Sequence, residues 1–462
     1  MDMPPEEFRR AGHRVVDWIA DYLAQARSYP VLPNLQPGDL RRQLPNSAPD
    51  GGEPMAGILD DFERQIIPAT THWNHPRFFG YFANSASAPG ILAEMLSTAL
   101  NANSMLWKSA PASTELEQTT LGWLAEALGL PPHWFGIIYD TASVSTMHAI
   151  AAAREQAAPE VRFRGGDGRL TLYTSAQSHN SIEKGAITLG IGRDNVRKIP
   201  VDSKFRMRAD ELEKAIAADK AAGKHPFCVV ATTGTTSTAS IDPVVEIREI
   251  ARRHGLWMHV DGAYGASAAI VPELRGHFDG VEHADSLVVN PHKWLFAPMD
   301  LSVLYTKHPE ILKRAFSLSA EYLKTAEDGD AVNYMDYGMP LGRRFRALKL
   351  WFILRYFGRE GMAERVGNQV KWARAVAEMI EQDPAFEVTA PVLLSLVCFR
   401  YRGSNEQNQR LLDRINATGK AFLSHTVLEG RFVLRLSIGN IQTTWKDVED
   451  TWELARSLSA DL

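Results

Sequence analysis

Apolar and polar positions along this chain follow two rhythms, and the switch from one to the other marks its elements. Near the start, Phe8, Val15, Ile19 and Tyr22, with Val16 and Leu23 beside them, recur at helical spacing opposite a charged face. The spacing predicts an amphipathic N-terminal helix, which covers either its own core or a partner. Prolines at positions 30, 33, 37, 45 and 49, then Gly51-Gly52, predict an irregular connection. A second helix is predicted over 58–67, stopped by Pro68. Over 113–130, Thr114 and Glu117 read as a capping box, and Gly129 with Pro131-Pro132 ends the run.

Beyond that point short apolar runs alternate with helical stretches. Strands are predicted at 137–138, 170–174, 227–232, 256–260 and 286–289, and helices at 145–157, 181–189 and 245–254. Such alternation predicts an α/β fold with a mainly parallel sheet covered on both faces. A helix over 344–357 meets Gly358 at its stop. From about 362 a long helical stretch, strands at 393–400 and 431–436 and a final helix predict a smaller α/β domain. The expected division is an N-terminal helical segment 1–80, a large domain 81–361 and a small domain 362–462.

Composition narrows the class. The chain of 462 residues is 45% apolar and 23% charged, an ordinary globular balance. A net charge of −5 without a long basic run argues against nucleic-acid binding. The two cysteines, Cys228 and Cys398, lie far apart without metal-type spacing, which fits a reducing cytoplasm better than a disulfide framework. The acidic, polar start lacks the features of a signal peptide, and no run approaches the ~20 apolar residues of a membrane span. No P-loop, metalloprotease helix or Rossmann glycine pattern occurs; Gly190-Ile191-Gly192 lacks the third glycine.

Unusual residues cluster where predicted strands end, which is where open α/β sheets bind ligands. Asp261 follows an apolar strand and reads as a helix cap or a functional acid. Lys293, in Asn290-Pro291-His292-Lys293-Trp294, follows another. It either snorkels to the surface or is buried with a lowered pKa and a nucleophilic amine. Thr232-Thr233-Gly234-Thr235-Thr236 is a hydroxyl-rich turn after a third strand. Taken together they fit pyridoxal 5′-phosphate (PLP), which needs an amine, an acid against its pyridine nitrogen and donors around its phosphate. The phosphate would suit Thr141-Ala142-Ser143 at a helix start.

At these residues the chain resembles the group II PLP-dependent decarboxylases, in particular those acting on aromatic amino acids. The resemblance runs over nearly the whole chain. It is carried by Asn290-Pro291-His292-Lys293-Trp294, His259-Val260-Asp261-Gly262-Ala263-Tyr264, Thr114-Glu115-Leu116-Glu117 and Pro340-Leu341-Gly342-Arg343-Arg344-Phe345. It implies the aspartate aminotransferase-like PLP fold type I, with Lys293 bound to the cofactor as a Schiff base and Asp261 paired with the pyridinium. It further implies that His179 and Ala263 flank the ring, that Thr232 contacts its edge, and that Ala142, Ser143, Asn290 and His292 hold the phosphate. Tyr322, on a loop running into the Asp-, Gly- and Glu-rich stretch 325–338, matches the family's proton donor. Aldehyde-forming relatives typically replace that Tyr with Phe, or the stacking His with Asn.

By the same resemblance Trp73, Phe82, Asn84, Met105 and Gly342 line the substrate pocket. Tryptophan, 5-hydroxytryptophan, DOPA, tyrosine and phenylalanine are the candidate substrates. Gly342 suits bulky rings and argues against histidine; the aromatic pocket argues against glutamate. The resemblance also implies a homodimer with exchanged N-terminal helices, the segment near Met105 reaching the neighbour's site. Four positions depart from the family pattern. Asn84 stands where Thr is frequent and Met105 where an aromatic is common. Asp140 and Val144 replace the Gly before and the Glu after Thr-Ala-Ser, and an acid beside a phosphate repels it unless it points away. A different fold type I lyase or aminotransferase, and a non-catalytic scaffold, are the competing readings.

Overall fold

The computed structural model describes residues 2–318 and 331–462. Its strands, in chain order, are β1 (Phe78–Phe79), β2 (Phe135–Tyr139), β3 (Leu170–Ser175), β4 (Val196–Ile199), β5 (His225–Thr232) and β6 (Trp257–Asp261). They continue with β7 (Ser286–Val289), β8 (Ser302–Thr306), β9 (Phe386–Val388), β10 (Leu396–Tyr401), β11 (Phe422–Leu428) and β12 (Arg431–Ser437). Seven of them form one sheet in the order β2-β8-β7-β6-β5-β3-β4. From β7 to β4 neighbours are parallel, and β8 alone is reversed. Central strands buried on both faces must be apolar throughout; β7 and β8 are buried at every position, and β5 at every position but its first. The fold is PLP fold type I, as the pattern and the resemblance imply.

The second sheet runs β1-β11-β12-β10-β9 and is antiparallel except where β1 joins β11. Residues 78–79, at the end of the expected N-terminal segment, are therefore an edge of the C-terminal sheet. The helix Ala347–Gln382 bridges the two cores. Gly358, at φ 64° and ψ 172°, is non-helical and breaks this run into two helices, the stop expected there. No helix among the described residues is long and apolar enough to cross a membrane.

The N-terminal helix Pro5–Gln25 has no buried residue, and Phe8 is 69% exposed. It is held from its middle onward: Arg14 pairs with Asp60 and Glu63 at 2.7 Å each, Trp18 meets Phe62 edge-on, and the Tyr22 hydroxyl lies 3.0 Å from His72 Nδ1. The second expected helix starts at Met55 and passes through a π turn into a 3₁₀ turn, Ile67–Ala69, that contains Pro68. Proline at the first turn of such a piece costs no hydrogen bond, so it redirects the chain without stopping it.

The capping box expected at Thr114 and Glu117 does not form. The helix starts at Pro111, and the Thr114 hydroxyl donates to the Ala110 carbonyl. Glu117 is buried instead, accepting from the Ile138 N–H at 2.9 Å and from Arg343 at 2.7 Å. Arg343 also donates to the Ile138 and Ser104 carbonyls and lies over the Tyr334 ring. This buried pair ties β2 to the segments around 104 and 334–343. We predict that Arg343→Met, which strands the Glu117 carboxylate, destabilises the protein by about 3–5 kcal/mol in chemical denaturation. The double variant Glu117→Gln/Arg343→Met should recover most of that loss.

Candidate active site

Parallel register brings three strand ends to one edge. Thr232 at the end of β5 pairs with Asp261 at the end of β6, and Asp261 with Val288 on β7. The turns that follow β5 and β6 touch. Gly265 N–H donates to the Thr233 carbonyl at 3.2 Å, and a Cβ on Gly265 would sit 2.3 Å from that oxygen. Gly234, at φ 93°, faces the Gly265 backbone, where a Cβ would sit 2.9 Å from its nitrogen. Only glycine lets the two turns close over each other here.

They enclose a cavity of about 330 Å³. Of the residues singled out in the sequence, it is lined by Trp73, Phe82, Asn84, Ala142, Ser143, His179, Thr232, Asp261, Ala263, Asn290, His292 and Lys293. Met105 and Gly342 are not on it. They lie together elsewhere, both against Asn103, whose amide donates to Met105 and whose carbonyl oxygen takes the Arg343 N–H. One chain's own cavity does not include them. Tyr322 lies outside the described residues.

Lys293 sits on a single turn, Pro291–Trp294, directly after β7. Its neighbour Trp294 is buried, stacks on Tyr264 and donates to Gln369 on the long helix, which fixes the turn. Burial pushes the Lys293 amine below its ordinary pKa, and Asp261 opposes that shift. The Nζ lies 5.6 Å from the centroid of Phe82, whose ring stacks on Tyr264. Asp261 receives the Ala263 N–H at 3.1 Å.

Two histidines have assignable tautomers. Ser181 N–H donates to His179 Nδ1 at 3.1 Å and Leu301 N–H to His292 Nδ1 at 2.9 Å. A backbone N–H can only donate, so each neutral ring carries its proton on Nε2. Burial lowers both pKa values; His179 is partly restored by Asp261, while Lys293 helps push His292 to about 3. The His292 Nε2–H and the Asn290 side-chain amide N–H therefore stand side by side as two donors, 3.3 Å apart.

The residues fit PLP on grounds independent of the motifs. The Thr232 hydroxyl is buried without a partner in a polar cavity, an arrangement that is costly unless a ligand completes it. The helix expected from 145 begins at Ala142, so Ala142 and Ser143 stand in its first turn, where N–H groups have no helical acceptor.

Sequence reasoning missed Arg435. It projects from β12 into the cavity and lies 5.4 Å from the Phe82 centroid. Its donors go to the Ser237 and Thr236 carbonyls and the Ser424 hydroxyl, none of them charged. The signal was an arginine inside the otherwise apolar run Phe432 to Leu436, a residue that is seldom buried without a purpose.

Comparison with known proteins agrees with this geometry. Residues 37–402 match the family profile described as "Pyridoxal-dependent decarboxylase conserved domain". The chain is 40% identical over 475 residues to aromatic-L-amino-acid decarboxylase of Catharanthus roseus, covering 99% of this chain and 94% of that protein. It is 39% identical over 469 residues to phenylacetaldehyde synthase of Arabidopsis thaliana, covering 98% and 96%. The crystal structure of Oryza sativa TDC with PLP and tryptamine superposes with a TM-score of 0.96 at 35% identity, covering 100% of this chain and 99% of that one. Cofactor fit, fold and sequence thus converge: this chain belongs to the pyridoxal-dependent decarboxylase family and is a PLP-dependent carboxy-lyase.

Proposed function

We propose that the chain decarboxylates an aromatic L-amino acid to the corresponding amine and CO₂. The observation that carries this reading is the joining of Lys293, Asp261 and His179 to an aromatic wall, Trp73 and Phe82, in one cavity. When bound, PLP supplies the electron sink for the charge left at Cα as CO₂ departs. The chain's part is to hold and orient. Lys293 offers a depressed-pKa amine for covalent attachment. Asp261, at the strand end, keeps a protonated ring nitrogen charged. His179 and Ala263 would flank the ring, and Thr232 would meet its edge. Ala142, Ser143, Asn290 and the neutral Nε2–H of His292 hold the phosphate. Trp73 and Phe82 seat the aromatic side chain, and Asn84, whose carbonyl oxygen is buried without a partner, faces the substrate's polar end.

Tyr322 is the proposed proton donor to Cα. A phenylacetaldehyde synthase among the relatives makes aldehyde formation the second reading; His179 together with Tyr322 favours the amine.

The functional unit in this reading is a homodimer. It would cover the apolar face of Pro5–Gln25 and exposed Leu92, Leu96 and Leu100 on the helix Ala88–Leu100, and present Met105 and Gly342 to the partner's cavity. Buried, unpaired Cys228 and Cys398 suit a reducing cytoplasm.

Incubation with the five candidate amino acids should release CO₂ and amine in equal amounts from at least one; CO₂ from none would end the decarboxylase reading for aromatic substrates. Tyr322→Phe should lower amine formation by roughly 100-fold and raise aldehyde; unchanged amine formation would remove Tyr322 from the mechanism. Light scattering should give twice the chain mass, and a fully active monomer would rule out the shared site.

A further inference from the structure

The loop opening the helix Ala142–Ala157 holds an acid. Asp140 follows directly on β2. Its Oδ1 accepts the Thr141 N–H at 2.5 Å and the Thr141 hydroxyl at 3.2 Å. Thr141 lines the cavity, so two donors next to the phosphate position are already engaged by a carboxylate of the chain itself. One residue further on, the Val144 and Ser145 N–H groups both go to the Thr141 carbonyl, at 3.1 and 3.0 Å. Ala142 and Ser143 are left as the first-turn backbone donors free for an anion. Asp140 is half-buried. Its carboxylate stands two residues before a seat for a group carrying about −1.5 to −2.

We propose that Asp140 sets this chain's affinity for the cofactor phosphate, holding it below what the loop would otherwise provide. It acts by occupying both Thr141 donors and by opposing the anion's charge. Cofactor loading then depends on the ambient PLP concentration. The inference rests on the placement of the phosphate at residues 142–143.

The test is the dissociation constant of PLP for the full-length apoprotein, followed by visible absorbance and tryptophan fluorescence, without reference to turnover. Asp140→Asn keeps an acceptor for Thr141 but removes the charge, and should tighten binding roughly three- to tenfold. Asp140→Gly also releases the two donors and should tighten it further. Inorganic phosphate, read by the shift it causes in apoprotein melting, should rank the proteins in the same order. Ser143→Asp adds a charge at the seat and should weaken PLP binding at least tenfold. If Ser143→Asp weakens binding while neither Asp140 variant tightens it, the role of Asp140 is overturned and the phosphate placement stands. If Ser143→Asp leaves binding unchanged, the placement and the inference fall together.

Discussion

The in-register parallel pairing of β5, β6 and β7 is the constraint on which the site depends. Thr232, Asp261 and the chain leading into Lys293 lie far apart in sequence, and they meet only because three strands end level with one another. A slip of one residue would turn Asp261 to the opposite face of the sheet and remove the acid from the cavity. Two glycines secure the arrangement beyond the strands. Gly234 and Gly265 let adjacent turns approach to distances that no side chain tolerates. Apolar packing on both sheet faces supplies the rigidity, so the functional groups stand on strands and short turns that cannot drift.

Electrostatics at this edge follow from burial. The amine of Lys293 and the rings of His179 and His292 are all pushed toward their neutral forms. A free amine is the nucleophile that a carbonyl cofactor requires, and neutral Nε2–H rings donate hydrogen bonds without adding charge. Asp261 opposes these shifts at Lys293 and His179, which places the one buried carboxylate of the cavity within reach of both. Arg435 keeps its place through uncharged oxygens from the turn after β5 and from β11, so it also fastens the small sheet to the mouth of the cavity.

Much of this was legible in the sequence, for identifiable reasons. Central strands buried on both faces are short apolar runs, which is how β5, β6 and β7 and the residues at their ends stood out. β4 and β8 escaped because β4 is a four-residue edge strand with two polar, more open residues, Arg197 and Lys198, at its centre, and β8 is a five-residue run that begins and ends on a hydroxyl residue. The helices Ala88–Leu100 and Ala209–Ala221 were also missed. Thr114 and Glu117 have capping-box spacing, but the pull of a buried arginine 226 residues away outweighed the local bond, and no local pattern reveals that. Met105 and Gly342 came from resemblance alone; their distance from this chain's cavity reflects a site that one chain does not complete in the proposed dimer. Arg435 needed the small sheet's packing to show where it points.

The most direct measurement is covalent. The purified protein, loaded with PLP and reduced with borohydride, would be digested and its peptides mapped by mass spectrometry. The account predicts one pyridoxyl group per chain, on Lys293, and none in Lys293→Ala. A label on another lysine, or its persistence in Lys293→Ala, would contradict the assignment of this strand end as the catalytic centre.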